Sequence, residues 1–185
     1  GLTSVALSAA TFGVIFKTAN GLAATETATW GGGSVNATTG ATTFTAVSAH
    51  YANAATLVVN ADGSYTFTLN APIVNAAGSS AGAEENTSLV LGLTVTDGDG
   101  DTAAAQLTVL VNDDTPVGHT VTAPTTLDDE AQTIFTPVNL GAVSGDVGPP
   151  DTNQVSGAAG ALFTAGADGL KSVALSAATF DVIFK

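Results

Sequence analysis

The stretch LVLGLTVTDGDGDTAAAQLTVLV, Leu89 to Val111, contains the two longest apolar runs of the chain, separated by an acidic turn. The runs Leu89 to Thr96 and Ala105 to Val111 have the apolar and β-branched composition typical of strands. Alternating Asp and Gly between them is typical of a tight turn, because glycine readily adopts positive φ. The stretch therefore predicts a hairpin of two central strands.

Short strand-like runs recur on either side of this hairpin, at roughly the 8–12-residue spacing of a β-sandwich. In one of them Tyr65, Phe67 and Leu69 alternate with hydroxyl residues, which predicts that all three face the core. No run of twelve or more residues has a helical period, so we expect an all-β fold. The remaining predicted strands are Ser4–Leu7, Val14–Phe16, Thr27–Trp30, Phe44–Val47, Thr56–Val59, Ser64–Leu69, Gln132–Phe135, Gln154–Ser156 and Ala161–Phe163.

The charge of the chain is strongly negative, with 16 acidic residues, three lysines, no arginine and a net charge of −13. Such a surface repels phosphate, which excludes nucleic acid and anionic membranes as partners. No apolar run reaches the about 18 residues of a membrane span. The chain has no cysteine, so disulfides cannot stabilise it and bound metal is the alternative.

The acidic residues are clustered, since ten of the 16 fall in four short groups. Asp97, Asp99 and Asp101 lie within five residues, where three like charges would repel one another without a cation. The spacing departs from an EF-hand, because Thr102 and Thr108 occupy positions that need Gly and Glu. We predict a calcium site here, and the alternative is a polar hairpin turn.

A second candidate calcium site follows from LTVLVNDDTP, Leu107 to Pro116, which resembles the linker that ends cadherin-like domains. The resemblance implies that Asp113 and Asp114 share calcium with loops of the two joined modules. The ligands that would complete such a site are Glu84 or Glu85, or the next unit's Asp128, Asp129 and Glu130. The alternative is a solvated linker, and Asp62 and Asp168, in Ala-Asp-Gly turns, are interpreted as turn formers.

The two ends of the chain repeat each other. GLTSVALSAATFGVIFK (Gly1–Lys17) and GLKSVALSAATFDVIFK (Gly169–Lys185) agree at 15 of 17 positions, at an offset of 168 residues. This predicts a tandem array with that period. We expect residues 1–116 to form one β-sandwich module and residues 117–185 to begin the next unit, although the last strand could instead complete the first module.

Catalytic signals are weak. His50 and His119 are the only histidines, and neither lies in a nucleophile or zinc motif. Trp30, Tyr51 and Tyr65 could stack on a sugar, but Tyr65 is predicted to be core and Trp30 to end a strand. We therefore expect no enzymatic activity.

Four segments together resemble the long repeats of giant bacterial adhesins exported by type I secretion, the RTX adhesins. The resemblance is carried by VVNADGSYTFTLN (Val58–Asn70), EEN at Glu84, LTVTDGDGDTAAAQLTVLVNDDTPV (Leu93–Val117) and LDDEAQT…GALFTAGADGLKSVAL (Leu127–Leu175). It implies an Ig-like or cadherin-like antiparallel β-sandwich that neighbouring repeats and Ca²⁺ stiffen into an extracellular extender on the bacterial surface, supporting attachment and biofilm formation. The calcium ligands would be Asp97, Asp99, Asp101, Asp113 and Asp114.

Two alternatives belong to other functional classes. The repeated segment could pair between chains, which would make the protein a self-assembling filament or matrix subunit. A regular face of Thr and Asn could instead bind a glycan or another surface, although the Thr-rich stretches TATW, ATTGATTFT and TVTAPTT are not regularly spaced.

Overall fold

The computed structural model describes residues 2–8, 10–75, 86–122, 127 and 154–175. These residues form β-strands joined by turns and loops, with no helix among them and with every strand pairing antiparallel. The predicted all-β class is confirmed. The strands are β1 Leu2–Leu7, β2 Thr11–Lys17, β3 Ala23–Trp30, β4 Ser34–Val35, β5 Thr42–Val47, β6 Ala55–Val59, β7 Tyr65–Leu69, β8 Asn86–Asp97, β9 Thr102–Asn112, β10 Val117–Gly118 and β11 Phe163–Thr164.

The chain divides into two compact units. The first unit comprises Gly1–Thr115 together with Ala165–Lys185, and the second comprises Pro116–Thr164. In the second unit β10 pairs with β11, and the His119 N–H donates to the Leu162 carbonyl at 2.8 Å. The first unit holds both large sheets. The expected assignment of residues 117–185 to the next repeat stays a prediction.

The larger sheet has six strands, in the order β2-β3-β5-β6-β7 with β4 paired to β5. Strands β5 and β6 are its centre, and Phe44 lies opposite Leu57. Alternate side chains of these strands, Thr42, Phe44 and Ala46 on β5, are buried. The period-two pattern in the sequence therefore creates one apolar face on this sheet.

The smaller sheet has the order β1-β8-β9. The long hairpin of β8 and β9 pairs from Asn86 opposite Asn112 to Thr96 opposite Thr102. Strand β1 adds to the free side of β8, with a register irregularity between Leu2 and Ser4.

The two sheets of the first unit pack together through a shared apolar cluster. Val5 of β1 and Leu91 of β8 bury against Phe44, Leu57 and Val59 of the larger sheet. A second cluster along the larger sheet is built mainly from small side chains: Val14, Ala28, Ala46, Ala54, Ala55 and Ala71. The architecture is consistent with a β-sandwich, in which small residues let the layers approach closely.

Four details of the sequence-based interpretation were wrong. Tyr65 is 58% exposed and not core, because its strand β7 ends the order of the larger sheet. Strand β9 is an edge strand and mostly exposed, so only β8 is central in the predicted hairpin. Gln154–Ser156 is not a strand, and the predicted strand at Ala161–Phe163 is reduced to Phe163–Thr164. The prediction for Gln132–Phe135 lies outside the described residues.

Replacing Leu57 with alanine should destabilise the module strongly, because this side chain is fully buried between the sheets. We expect a loss of about 2–5 kcal/mol in the free energy of unfolding, measured by chemical denaturation. Leu110, which is 73% exposed on β9, is the matched control, and its replacement with alanine should have little effect. Equal losses from the two variants would contradict the described packing.

Candidate functional site

The acidic turn between β8 and β9 brings three predicted ligands together. The Asp97 N–H donates to the Asp101 carbonyl at 3.0 Å, and the Gly100 N–H donates back to the Asp97 carbonyl at 3.3 Å. Gly100 has φ of 99°, a conformation that side-chain-bearing residues rarely adopt. The glycine thus lets the turn close within five residues and keeps the aspartates on one small loop.

The carboxylates of Asp97, Asp99 and Asp101 form what we term the Asp triad. Each contributes an oxygen, these atoms lie within 4.8 Å of one another, and all three residues are exposed. The hydrogen bond with Asp99, together with the Asp101 N–H that donates to Asp97 Oδ1 at 2.9 Å, holds the pKa of Asp97 below its usual range despite some desolvation. The turn therefore favours the ionised, ligand-competent form of Asp97.

The dimensions of the Asp triad fit a calcium ion. Calcium binds six to eight oxygens at about 2.3–2.6 Å, so two ligands of one ion lie at most about 5 Å apart. The 4.8 Å limit on the triad oxygens satisfies this condition. Three carboxylates fill only part of such a coordination shell, so water or backbone carbonyls of the turn would supply the remaining oxygens.

A second acidic group forms where β9 ends. The Asn75 side chain donates to Asp113 Oδ1 at 2.9 Å, and the Ala167 N–H donates to Asp114 Oδ2 at 2.8 Å. Burial and the nearby charges of Asp113 and Asp114 raise the pKa of Asp168. The three carboxylates interact, but among the described residues only the Asp triad is tight enough to surround one ion.

Asp168 is the member of this second group that sequence reasoning missed. It was interpreted as a turn former, and Gly169 with φ of 78° confirms that a turn is present. Its position beside Asp113 and Asp114 depends on a return of the chain from 54 residues away, which no local pattern indicates. The partners that were predicted instead lie outside the described residues: Glu84, Glu85, Asp128, Asp129 and Glu130.

The histidine that is best defined by its contacts is His50. Its ring Nδ1 lies 2.7 Å from Glu26 Oε2. The imidazole ring stacks on the Phe16 ring, with 3.7 Å between the ring centroids. Ser48 Oγ and the His50 N–H both donate to Glu26 Oε1, at 2.5 and 2.8 Å. Serine and histidine thus share one carboxylate, whereas in a nucleophilic relay the histidine would contact the serine. These contacts fasten the loop after β5 to β3.

Comparison with known proteins adds no relative from which a role could be transferred. No family model, curated protein or solved structure matches this chain. The described residues include no helix long and apolar enough to cross a membrane. The functional argument therefore rests on the chain's own residues.

Replacing Asp168 with asparagine should stabilise the module in EDTA, because it removes a carboxylate whose charged form is disfavoured by burial and by repulsion from Asp113 and Asp114. We expect a higher unfolding temperature near neutral pH, with a gain that shrinks as added NaCl screens the repulsion. Asp62→Asn, in the other Ala-Asp-Gly turn, is the control. A lower unfolding temperature for Asp168→Asn would show that the carboxylate has a favourable partner.

Stability should depend on pH through Glu26. Desolvation raises its pKa, but hydrogen bonds from His50 and Ser48 outweigh this and lower the pKa overall. A lowered folded-state pKa gives stabilisation that is complete above the unfolded-state value, about 4.3 for glutamate, and is lost as the pH falls through the folded-state value. Wild type and Glu26→Gln should therefore differ in unfolding temperature at pH 7, and this difference should shrink as the pH falls below about 4.3. A constant difference across this range would refute the prediction.

Proposed function

We propose that this chain is a structural extender repeat of a large extracellular bacterial adhesin, and that calcium stiffens it. In this role the module supplies length between an anchor and a distal binding region and performs no chemistry. The proposal is supported by the near-identity of residues 1–17 and 169–185, which is typical of a tandem array.

The observation that carries the calcium part of the proposal is the Asp triad. Three carboxylates at the exposed tip of the β8–β9 hairpin have oxygens within 4.8 Å and a turn that favours an ionised Asp97. Because the chain carries a net charge of −13, bound cations would reduce its self-repulsion. Bound calcium would supply positive charge and would coordinate several oxygen ligands at once, which would hold the hairpin tip in one geometry.

The residues that lead into the second copy of the repeated segment make contacts that support a stiff connection between neighbouring repeats. The Ala167 N–H donates to Asp114, and the Ala23 N–H donates to the Leu170 carbonyl at 3.0 Å. A Cβ at Gly166 would lie 2.6 Å from the Asp114 carbonyl oxygen, so only glycine fits this approach. Residues 166–170 are thus held by other parts of the first unit as far as the start of the repeated sequence.

In the proposed mechanism the module is weakest without calcium. The carboxylates of Asp113 and Asp114 repel that of Asp168, and the Asp triad concentrates further acidic groups at the hairpin tip. Such concentrated negative charge lowers the stability of the compact state. Calcium in the surrounding medium offsets this charge and adds its binding free energy to folding. The same ion would allow a long, acidic array to project from the cell surface without collapsing onto it.

Thermal unfolding with EDTA and with millimolar calcium tests the proposal. Calcium at about 100 times its dissociation constant adds about 2.7 kcal/mol of stability, which corresponds to about 5–10 °C in a domain of this size. Asp99→Asn and Asp101→Asn should each remove most of this gain. Magnesium at the same concentration should give a smaller gain, because its preferred geometry is stricter.

Asp62→Asn is the matched control, since Asp62 lies in a glycine-containing hairpin turn but outside the Asp triad. This variant should keep the full calcium gain. If calcium leaves the unfolding temperature of the wild type unchanged, the triad is only a turn and the stiffened-extender proposal fails. If both triad variants keep the gain, calcium binds elsewhere.

A further inference from the structure

The second copy of the repeated segment contains the sequence of strand β1 in an unburied and unpaired form, because residues 170–175 are not part of a strand. Residues 170–175, LKSVAL, differ from β1, LTSVAL, only in having Lys171 where β1 has Thr3. Val5 of β1 is 7% exposed, whereas Val173, its counterpart, is 70% exposed. Leu175 is 89% exposed. One copy of this strand is thus part of the core, and the other presents the same apolar side chains to solvent.

The position of β1 in the fold makes it exchangeable. It lies at one edge of the smaller sheet and, among the strands that the structure describes, pairs only with β8, from Leu2 opposite Asp97 to Leu7 opposite Leu93. A segment of the same sequence in that place would make the same backbone hydrogen bonds and bury the same valine. Exchange of identical elements between copies therefore costs little beyond association itself.

The one difference between the two copies of this hexapeptide is Lys171 in the position of Thr3, and it changes the charge beside the Asp triad. Thr3 Oγ1 donates to the Asp97 carbonyl at 2.5 Å, so this position lies directly beside the Asp triad. A lysine there would bring its ammonium group to three carboxylates. Among the described residues, the only ion pair is between His50 and Glu26. Lys171 therefore complements the triad in a way that Thr3 does not.

The second difference between the copies limits how far exchange could extend. Asp181 has Gly13 as its counterpart, and a Cβ at residue 13 would lie 2.8 Å from Val74 Cγ2. The second copy is therefore a poor replacement for β2 but a good one for β1.

We propose that residues 170–175 of one chain occupy the β1 position beside β8 of a second copy of this protein, with Lys171 paired to the Asp triad. The displaced β1 then exposes Val5, just as Val173 is exposed in the single chain. The exchange therefore leaves the total buried apolar surface unchanged. The new ion pair favours the exchanged form by up to about fivefold in the equilibrium constant, as expected for an exposed pair. This inference depends neither on calcium nor on the extender role.

Disulfide trapping between two variants tests the exchange directly, because the chain has no native cysteine. Ala6 and Thr94 are opposite each other and exposed, so Ala174 of a second copy would be opposite Thr94. Directly opposed residues in antiparallel strands lie about 4.5–5.5 Å apart, within the range of a disulfide. We would mix Ala174→Cys with Thr94→Cys in EDTA under a mild oxidant and measure the covalent dimer on a non-reducing gel.

The control mixture pairs Ala174→Cys with Thr66→Cys, which is exposed on β7, and it gives the rate of random oxidation. We expect the Ala174–Thr94 pair to cross-link at least about tenfold faster, since antiparallel pairing holds the two sulfurs within bonding range. Equal rates in the two mixtures would overturn the proposal.

Two substitutions on the Ala174→Cys chain separate the contributions of burial and charge. Val173→Asn should abolish the excess cross-linking without changing the unfolding temperature, because Val173 is exposed in the single chain. Lys171→Glu should reduce the excess rate by about 2–5-fold or more, since it places like charges together. Unchanged cross-linking in the Val173→Asn chain would rule out insertion beside β8. Unchanged cross-linking in the Lys171→Glu chain would rule out the pairing with the Asp triad.

Discussion

Covering the apolar face of the larger sheet is the constraint on which the rest of the module depends. Phe44 and Leu57 are fully buried in a cluster to which Val5 and Leu91 of the smaller sheet contribute. Burial of four such side chains contributes several kcal/mol, a large part of the net stability of a typical domain. The module thus needs β1, a short edge strand, to close its core. The sequence of this strand occurs twice, with one substitution, in the chain.

Charge is distributed so that it does not interfere with this core. The strands carry Ala, Val, Thr and Leu, whereas the described aspartates lie in turns or where strands end. With few cations available, the protein stabilises these carboxylates through backbone and side-chain N–H and O–H donors, as at Asp62, Asp97 and Glu26. Hydrogen bonds of this kind lower the pKa of one carboxylate but leave its negative charge in place. Neighbouring carboxylates therefore continue to repel one another unless a cation binds between them.

Local patterns predicted the strands well and their exposure less well. Alternation located β7, and apolar or β-branched runs between turn signals located β5, β6 and β8, because both signals are properties of each strand alone. Whether a face is covered depends on the neighbouring sheet, and for this reason Tyr65 on β7 and most of β9 proved exposed. The Asp triad could be predicted because its members lie within five residues. Asp168 could not, because its proximity to Asp113 and Asp114 arises only from the return of the chain to the first unit.

The two differences between the repeated segments fall where the fold is most demanding. Position 3 lies against the Asp triad, and position 13 lies under Val74 with no room for a Cβ. At position 13 only Gly13 leaves the space that the module described here needs, whereas at position 3 Lys171 would add a positive charge beside the Asp triad that Thr3 does not supply. Fifteen shared residues preserve the ability to form the same strands, and two differing residues alter which copy of a strand is preferred at which site. Near-identical modules in one chain need such a preference, because strands of equal fit would pair indiscriminately between neighbours.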